Sequence, residues 1–176
     1  MKRMKTLATL VALGAALFTA PVLLAQKKLT DPEIASVAVT ANKIDIGYAE
    51  IAKKTTKNED VKKFAETMIT DHNAVIKQAT DLVTKLGVTP KDNDLSKKLA
   101  GDAEKKKTEL KGKTGAAFDK AYIDNEVAYH KAVIATVEGT LIPDSQNAEL
   151  KQLLQNILPA LRTHLEHAET VQKSLK

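Results

Sequence analysis

The sequence predicts an all-α protein, a four-helix bundle with a short extra helix in the crossover between the second and third long helices. Three observations point there. Four long segments repeat apolar residues at alternating spacings of three and four, the period of a helix with one apolar stripe. The apolar content is mostly Ala, Leu, Val and Ile, with no tryptophan and few aromatics, a usage that favours helices over a sandwich or barrel. The chain of 176 residues suits one domain with a single core.

The first helix is predicted to open at Asp31-Pro32-Glu33, with Asp31 as N-cap and Pro at the first helical position, and to run to about Lys54. Ile34, Val37, Ala41, Ile44, Tyr48 and Ile51 form its stripe. The second opens at Asn58-Glu59-Asp60, where early acids suit the positive end of the helix dipole. Its seam is Val61, Ala65, Met68, His72, Val75, Ala79, Leu82 and Leu86, and Gly87 with Pro90 ends it. A weak helix from about Asp94 to Leu110 carries only Leu95, Leu99 and Ala103 on its stripe and reads as part of the crossover. After the break at "GKTG" the next long helix spans about Ala116 to Leu141, and "IPDSQ" reads as a turn. The last begins near Ser145 or Asn147, with a seam of Leu150, Leu154, Ile157, Leu161, His164, Ala168, Val171 and Leu175. Pro159 lies inside it and is predicted to kink it near Gln155 to Leu158. The first two long helices make one hairpin and the last two another. The crossover lets them associate in the ferritin-like manner.

Residues 1–25 read as a secretory signal peptide: Lys2, Arg3 and Lys5, then an uncharged apolar run with Pro21 and the small residue Ala25 at its end. The bundle domain is then 26–176, exported to the periplasm or secreted, with no stable membrane insertion after cleavage. The removed segment carries three positive and no negative residues, so the net charge of +5 falls to +2 (5 − 3). That balance, with no basic cluster interleaved with aromatics, argues against a nucleic-acid partner. No cysteine means no disulfide, no thiolate metal site and no thiol nucleophile. No glycine-rich phosphate loop, nucleophile elbow or zincin motif occurs.

The chemistry lies in the seams. His72, His130 and His164 take core positions on three different helices, while His167 lies off the seam and is expected to be exposed. Asp45 falls on a second stripe of the first helix, Ile34-Ala38-Ala41-Asp45-Tyr48-Ala52. Glu126 precedes His130 by four residues, so both can face one way. A buried imidazole without a partner costs on the order of 1–3 kcal/mol. The favoured reading gives each histidine a nearby carboxylate, tyrosine or backbone carbonyl, in one case a carbonyl freed by Pro159. The alternative is a mononuclear metal site built from His72, His130, His164, Asp45 and Glu126. Imidazole with carboxylate suits Zn, Cu or Fe, although no ion at all is equally compatible. Counting from a turn at Pro143 at about 1.5 Å per residue, His130 and His164 would be offset by roughly 12 Å, which favours separate partners. No helix carries the Glu-x-x-His pair of di-iron carboxylate bundles.

"KIDIGYAEIA", "FAETMITDHNAV", "FDKAYIDNEVAYHKAV" and "LPALRTHLEHAE" resemble, in order, the signature stretches of the bacterial domain of unknown function 4142 family. The resemblance runs from about Asp31 to Leu175. It implies a secreted ferritin-like bundle whose family histidines fall on His72, His130 and His164, with Asp45 where a Glu is usual. The family's outer-membrane label implies a barrel or lipid anchor, and neither pattern is present. The functional expectation is a non-catalytic exported bundle that binds a metal ion or small ligand, or acts in envelope stress. The alternative is a ferritin-like metalloprotein with redox activity at the core histidines and carboxylates.

Overall fold

The computed structural model describes residues 27–175, and the signal-peptide expectation for 1–25 lies outside them. Five α-helices form, and no strand occurs among the described residues. They are α1 (Asp31–Thr55), α2 (Glu59–Lys85), α3 (Asp94–Lys111), α4 (Gly115–Thr136) and α5 (Ala148–Ser174). Helix α4 runs on through a π-helical turn, Val137–Leu141, and a last turn, Ile142–Asp144.

The caps fix the ends. Asn58 and Asn147 accept from the second and third backbone N–H groups of α2 and α5. The N-cap of α1 is Thr30 rather than Asp31, and Glu33 accepts from its backbone N–H at 2.9 Å. Asp31 is thereby freed for a longer-range task. Its carboxylate accepts from the backbone of Gln146 and Asn147, tying the start of α1 to the α4–α5 link. Helix α2 ends at Lys85 with Leu86 as C-cap, and Gly87 takes the left-handed conformation (φ 63°) that reverses the chain.

Helices α1 and α2 pack as one hairpin, α4 and α5 as the other, and α3 crosses over against α1. The hairpins meet through α1 with α4 and α2 with α5. The buried apolar residues fall into two clusters. One holds Phe64, Phe118, Tyr122 and Ile123, the other Ile34, Leu141, Leu154 and Leu161. Burying each such side chain contributes roughly 1.5–3 kcal/mol. Between the clusters lies a layer of buried polar residues: Asn42, Asp45, His72, Glu126, His130 and His164.

Two expectations need correction. "IPDSQ" is not all turn, because Ile142–Asp144 still belongs to the helix and the link is Ser145–Asn147. His167 is half-buried, with its ring edge-on to Phe64 at 5.1 Å. Pro159 does lie inside α5, and the helix continues through it from Ala148 to Ser174.

Candidate metal centre

The structure brings His72, His130 and His164 together from α2, α4 and α5. Their ring centroids are 5.8 Å (His72–His130), 5.2 Å (His72–His164) and 5.6 Å (His130–His164) apart. The offset of roughly 12 Å between His130 and His164 is therefore wrong. The pivot is not Pro143 but the link at Ser145–Asn147, which makes the arms of the hairpin nearly equal. The π-helical turn also uses more residues per turn than an α-helix.

Each histidine has one ring nitrogen committed. Asn42 donates its amide to the Ala38 carbonyl at 2.8 Å, which orients its Oδ1 to accept from His72 Nδ1 at 2.7 Å. The Glu126 backbone carbonyl accepts from His130 Nδ1 at 3.0 Å. Asp71 Oδ2 accepts from His164 Nε2 at 2.9 Å. All three acceptors require the imidazole nitrogen to carry the proton, so each bond selects a tautomer. The lone pairs are left on His72 Nε2, His130 Nε2 and His164 Nδ1, and these three nitrogens have no hydrogen-bond partner and are buried. One nitrogen from each histidine lies within 4.8 Å of one from each of the others. The expected single partner per histidine is thus present, but none is a carbonyl freed by Pro159.

Asp45 lies beside two of the three histidines. Its Oδ2 is 3.3 Å from His72 Nε2 and 3.6 Å from His130 Nε2, with both carboxylate oxygens buried and unpartnered. Ligand atoms about 2.0–2.1 Å from a tetrahedral ion sit roughly 3.3 Å apart. The spacing is long for a hydrogen bond and suits donors around a shared ion. Glu126 is fully buried, its Oε2 3.6 Å from His130 Nδ1, and both of its oxygens are unpartnered. Asp45, Glu126 and His130 form a second group of mutually close donors.

Burial sets the electrostatics. It pushes the Asp45 carboxyl up to about 8. The Glu126 carboxyl is held well above the ordinary range, by burial first and by the Asp45 charge second. His72 is pushed down to about 3 by burial and then by the charges of His130 and His164. His130 goes down to about 4, again chiefly by burial, against the opposing pull of the Glu126 carbonyl. At neutral pH Asp45 is mostly uncharged and His72 and His130 are neutral, so the Asp45–His72 contact is not an ion pair. Neutral imidazole is the metal-ligating form.

All five sequence-derived candidates share this layer. Asn42 and Asp71, which orient two of the imidazoles, were not among them. A polar residue three positions before Asp45 was a usable signal for Asn42. Nothing in the sequence marks Asp71, since its pairing depends on how α2 and α5 rotate against each other.

The family model of the domain of unknown function DUF4142 matches residues 19–171, and the chain belongs to that family. A solved structure of CopM in the Cu(II)-bound form is similar in fold, with a TM-score of 0.63 and 15% identity, covering 85% of this chain and 100% of that one. At that identity the likeness speaks to the fold alone. No curated protein matches the chain. Among the described residues, no helix is long and apolar enough to cross a membrane.

Proposed function

We propose that this member of the DUF4142 family is a non-catalytic metal-binding protein, holding one divalent ion at His72, His130, His164 and Asp45. The observation that carries the reading is the tautomer pattern. Three buried imidazoles each spend one nitrogen on an orienting acceptor and leave the other buried and unpartnered, with the three ring centroids 5.2–5.8 Å apart. Unpartnered buried nitrogens cost stability, on the order of 1–3 kcal/mol each. Bonding of the far nitrogen to a carbonyl or carboxylate is the arrangement that orients histidine ligands in metal sites. Asp45 supplies a fourth donor, and Glu126 behind His130 would supply a second negative charge only on losing its proton as the ion enters.

Three imidazoles and a carboxylate without a thiolate suit copper(II) or zinc. The copper in the CopM neighbour supports testing copper first. The same layer gives little support to a di-iron oxidase, since Glu126 and His130 stand at i, i+4 and no Glu-x-x-His pair exists. Residues 1–25 fit a cleaved export signal, which would deliver the bundle of 26–176 to the periplasm or outside the cell.

The test is equilibrium dialysis of the mature chain against copper(II), zinc and iron(II), followed by metal analysis. One ion per chain should remain after a chelator wash that strips surface sites, and His72→Ala and His130→Ala should each lose it. Retention by both variants, or no retained ion in the wild type, would refute the reading.

A further inference from the structure

Beside the histidine layer, between α1 and α4, the bundle leaves a cavity of about 100 Å³. Its walls are apolar and come from four helices: Val37 and Ala41 on α1, Leu99 on α3, Val133 and Leu141 on α4 and its π-helical turn, Leu154 and Leu161 on α5. One end is polar, formed by Asn42, Asp45, His72 and His130. His164 does not line it, so the cavity meets the candidate centre on the side of the other three donors. Toward solvent the lining residues are small: Ala38 and Ala41 are half-buried and Ala132 is exposed. Tyr129, also in the lining, reaches across from α4, and its hydroxyl donates to the Ala41 carbonyl at 2.9 Å.

The contents of this space are constrained from three directions. It is far larger than the ~10–15 Å³ one water needs, and a stable buried water wants two to four polar partners, which only the Asp45–His72 end supplies, so water does not fill the apolar body of the cavity. Its size is on the order of the ~150 Å³ apolar cavity that admits a benzene ring. A charged guest would be stripped of water against apolar walls at high cost. At the polar end, both Asp45 oxygens and His72 Nε2 are buried without a partner, and His72 Nε2 can only accept, because Nδ1 holds the ring proton. A guest with one donor at one end and an apolar body satisfies all three constraints.

We infer that the cavity is a binding site for a compact, neutral, mostly apolar molecule bearing one hydroxyl, of the phenol class. The hydroxyl sits at the Asp45–His72 end and the ring lies among Val37, Val133 and Leu141. Occupancy needs no metal, but the hydroxyl uses Asp45 and His72, two of the proposed metal donors, so the inference is tested on the metal-free chain.

The experiment uses the mature chain freed of metal by chelator, with calorimetry and amide NMR, and phenol, benzene and benzoate as probes. Phenol is expected to bind saturably at one site, shifting amides of α1 and α4 around Ala41 and Val133. Benzene should bind roughly tenfold more weakly for want of one hydrogen bond, and benzoate should not bind. Ala41→Leu, which fills the cavity, should abolish phenol binding while keeping the helical signal. If that variant fails to fold, Val133→Phe fills the same space from the facing helix. No saturable phenol binding would overturn the inference. So would benzene binding as tightly as phenol, or phenol binding unchanged in a folded filled variant.

Discussion

Metal binding at this site should expel a proton that an ordinary carboxylate would not hold. Burial keeps the Asp45 carboxyl up at about 8, so at pH 6 it is about fully protonated and at pH 7.5 about 0.8 protonated. An ion ligated by Asp45 requires the carboxylate, and the proton leaves with its arrival. His72 and His130, pushed down to about 3 and about 4, have nothing to give at pH 6 or above. The perturbation is Asp45→Asn, which keeps the shape and removes the titrating group. Calorimetric titration of zinc into wild type and variant, in buffers of different ionisation enthalpy, counts the protons. The wild type should release about one more proton per ion than the variant at pH 6, and about 0.8 more at pH 7.5. A carboxylate near its usual value of about 3.9 would give a difference of about zero at both. Equal release by the two proteins would refute the reading of Asp45 as a buried neutral acid that ligates as a carboxylate.

Without metal, the same groups set the pH profile of stability. His72 and His130 are lowered on folding, so their contribution is present above about 6.5 and is lost as pH falls through their folded values; Asp45 and Glu126 are raised, so theirs is present below about 4 and is lost as pH rises, for Asp45 through about 8. Denaturant melts of the chelated protein should show a plateau between about pH 4.5 and 6.5 with losses on both sides, and a monotonic rise from pH 5 to 8 would contradict it. His72→Ala should cost about 1–3 kcal/mol in chelator by leaving Asn42 unpaired, and His72→Leu should recover part of that. With copper or zinc at a hundredfold excess over Kd, the wild type should gain about 2.7 kcal/mol, roughly 5–10 °C in Tm, and both variants should gain nothing. Pro159→Ala should raise Tm by a few degrees, on the order of 1 kcal/mol for one restored backbone bond, because no seam histidine depends on a carbonyl freed there; a lower Tm would show that one does.

The helices were legible because apolar spacing and caps agree along each of them. Asn58 and Asn147 begin helices as their residue type suggests, and Gly87 ends one. The layer of His72, His130, His164, Asp45 and Glu126 was legible as positions on stripes. Its convergence was not. A stripe gives the face of a residue but not its height in the bundle, and height depends on where the chain turns. Reading Pro143 as the turn placed His130 and His164 at different levels, whereas the helix continues to Asp144 through a π-helical turn that "VEGTL" does not announce. Thr30 took the cap expected of Asp31 for a similar reason. Asp31 has partners 115 and 116 residues away, at Gln146 and Asn147, that no local pattern records.

The most direct test of the metal reading is the state of the six imidazole nitrogens in the seam histidines, read by long-range proton–nitrogen NMR as zinc is added to ¹⁵N-labelled mature chain. Before zinc, the protonated nitrogens should be His72 Nδ1, His130 Nδ1 and His164 Nε2, each held by the acceptor the structure gives it. At one equivalent, the nitrogens that shift to metal-bound values should be His72 Nε2, His130 Nε2 and His164 Nδ1, with the protonated three unchanged. Ligation through any other nitrogen of the three, or spectra indifferent to zinc, copper and iron alike, would contradict a metal centre at this layer.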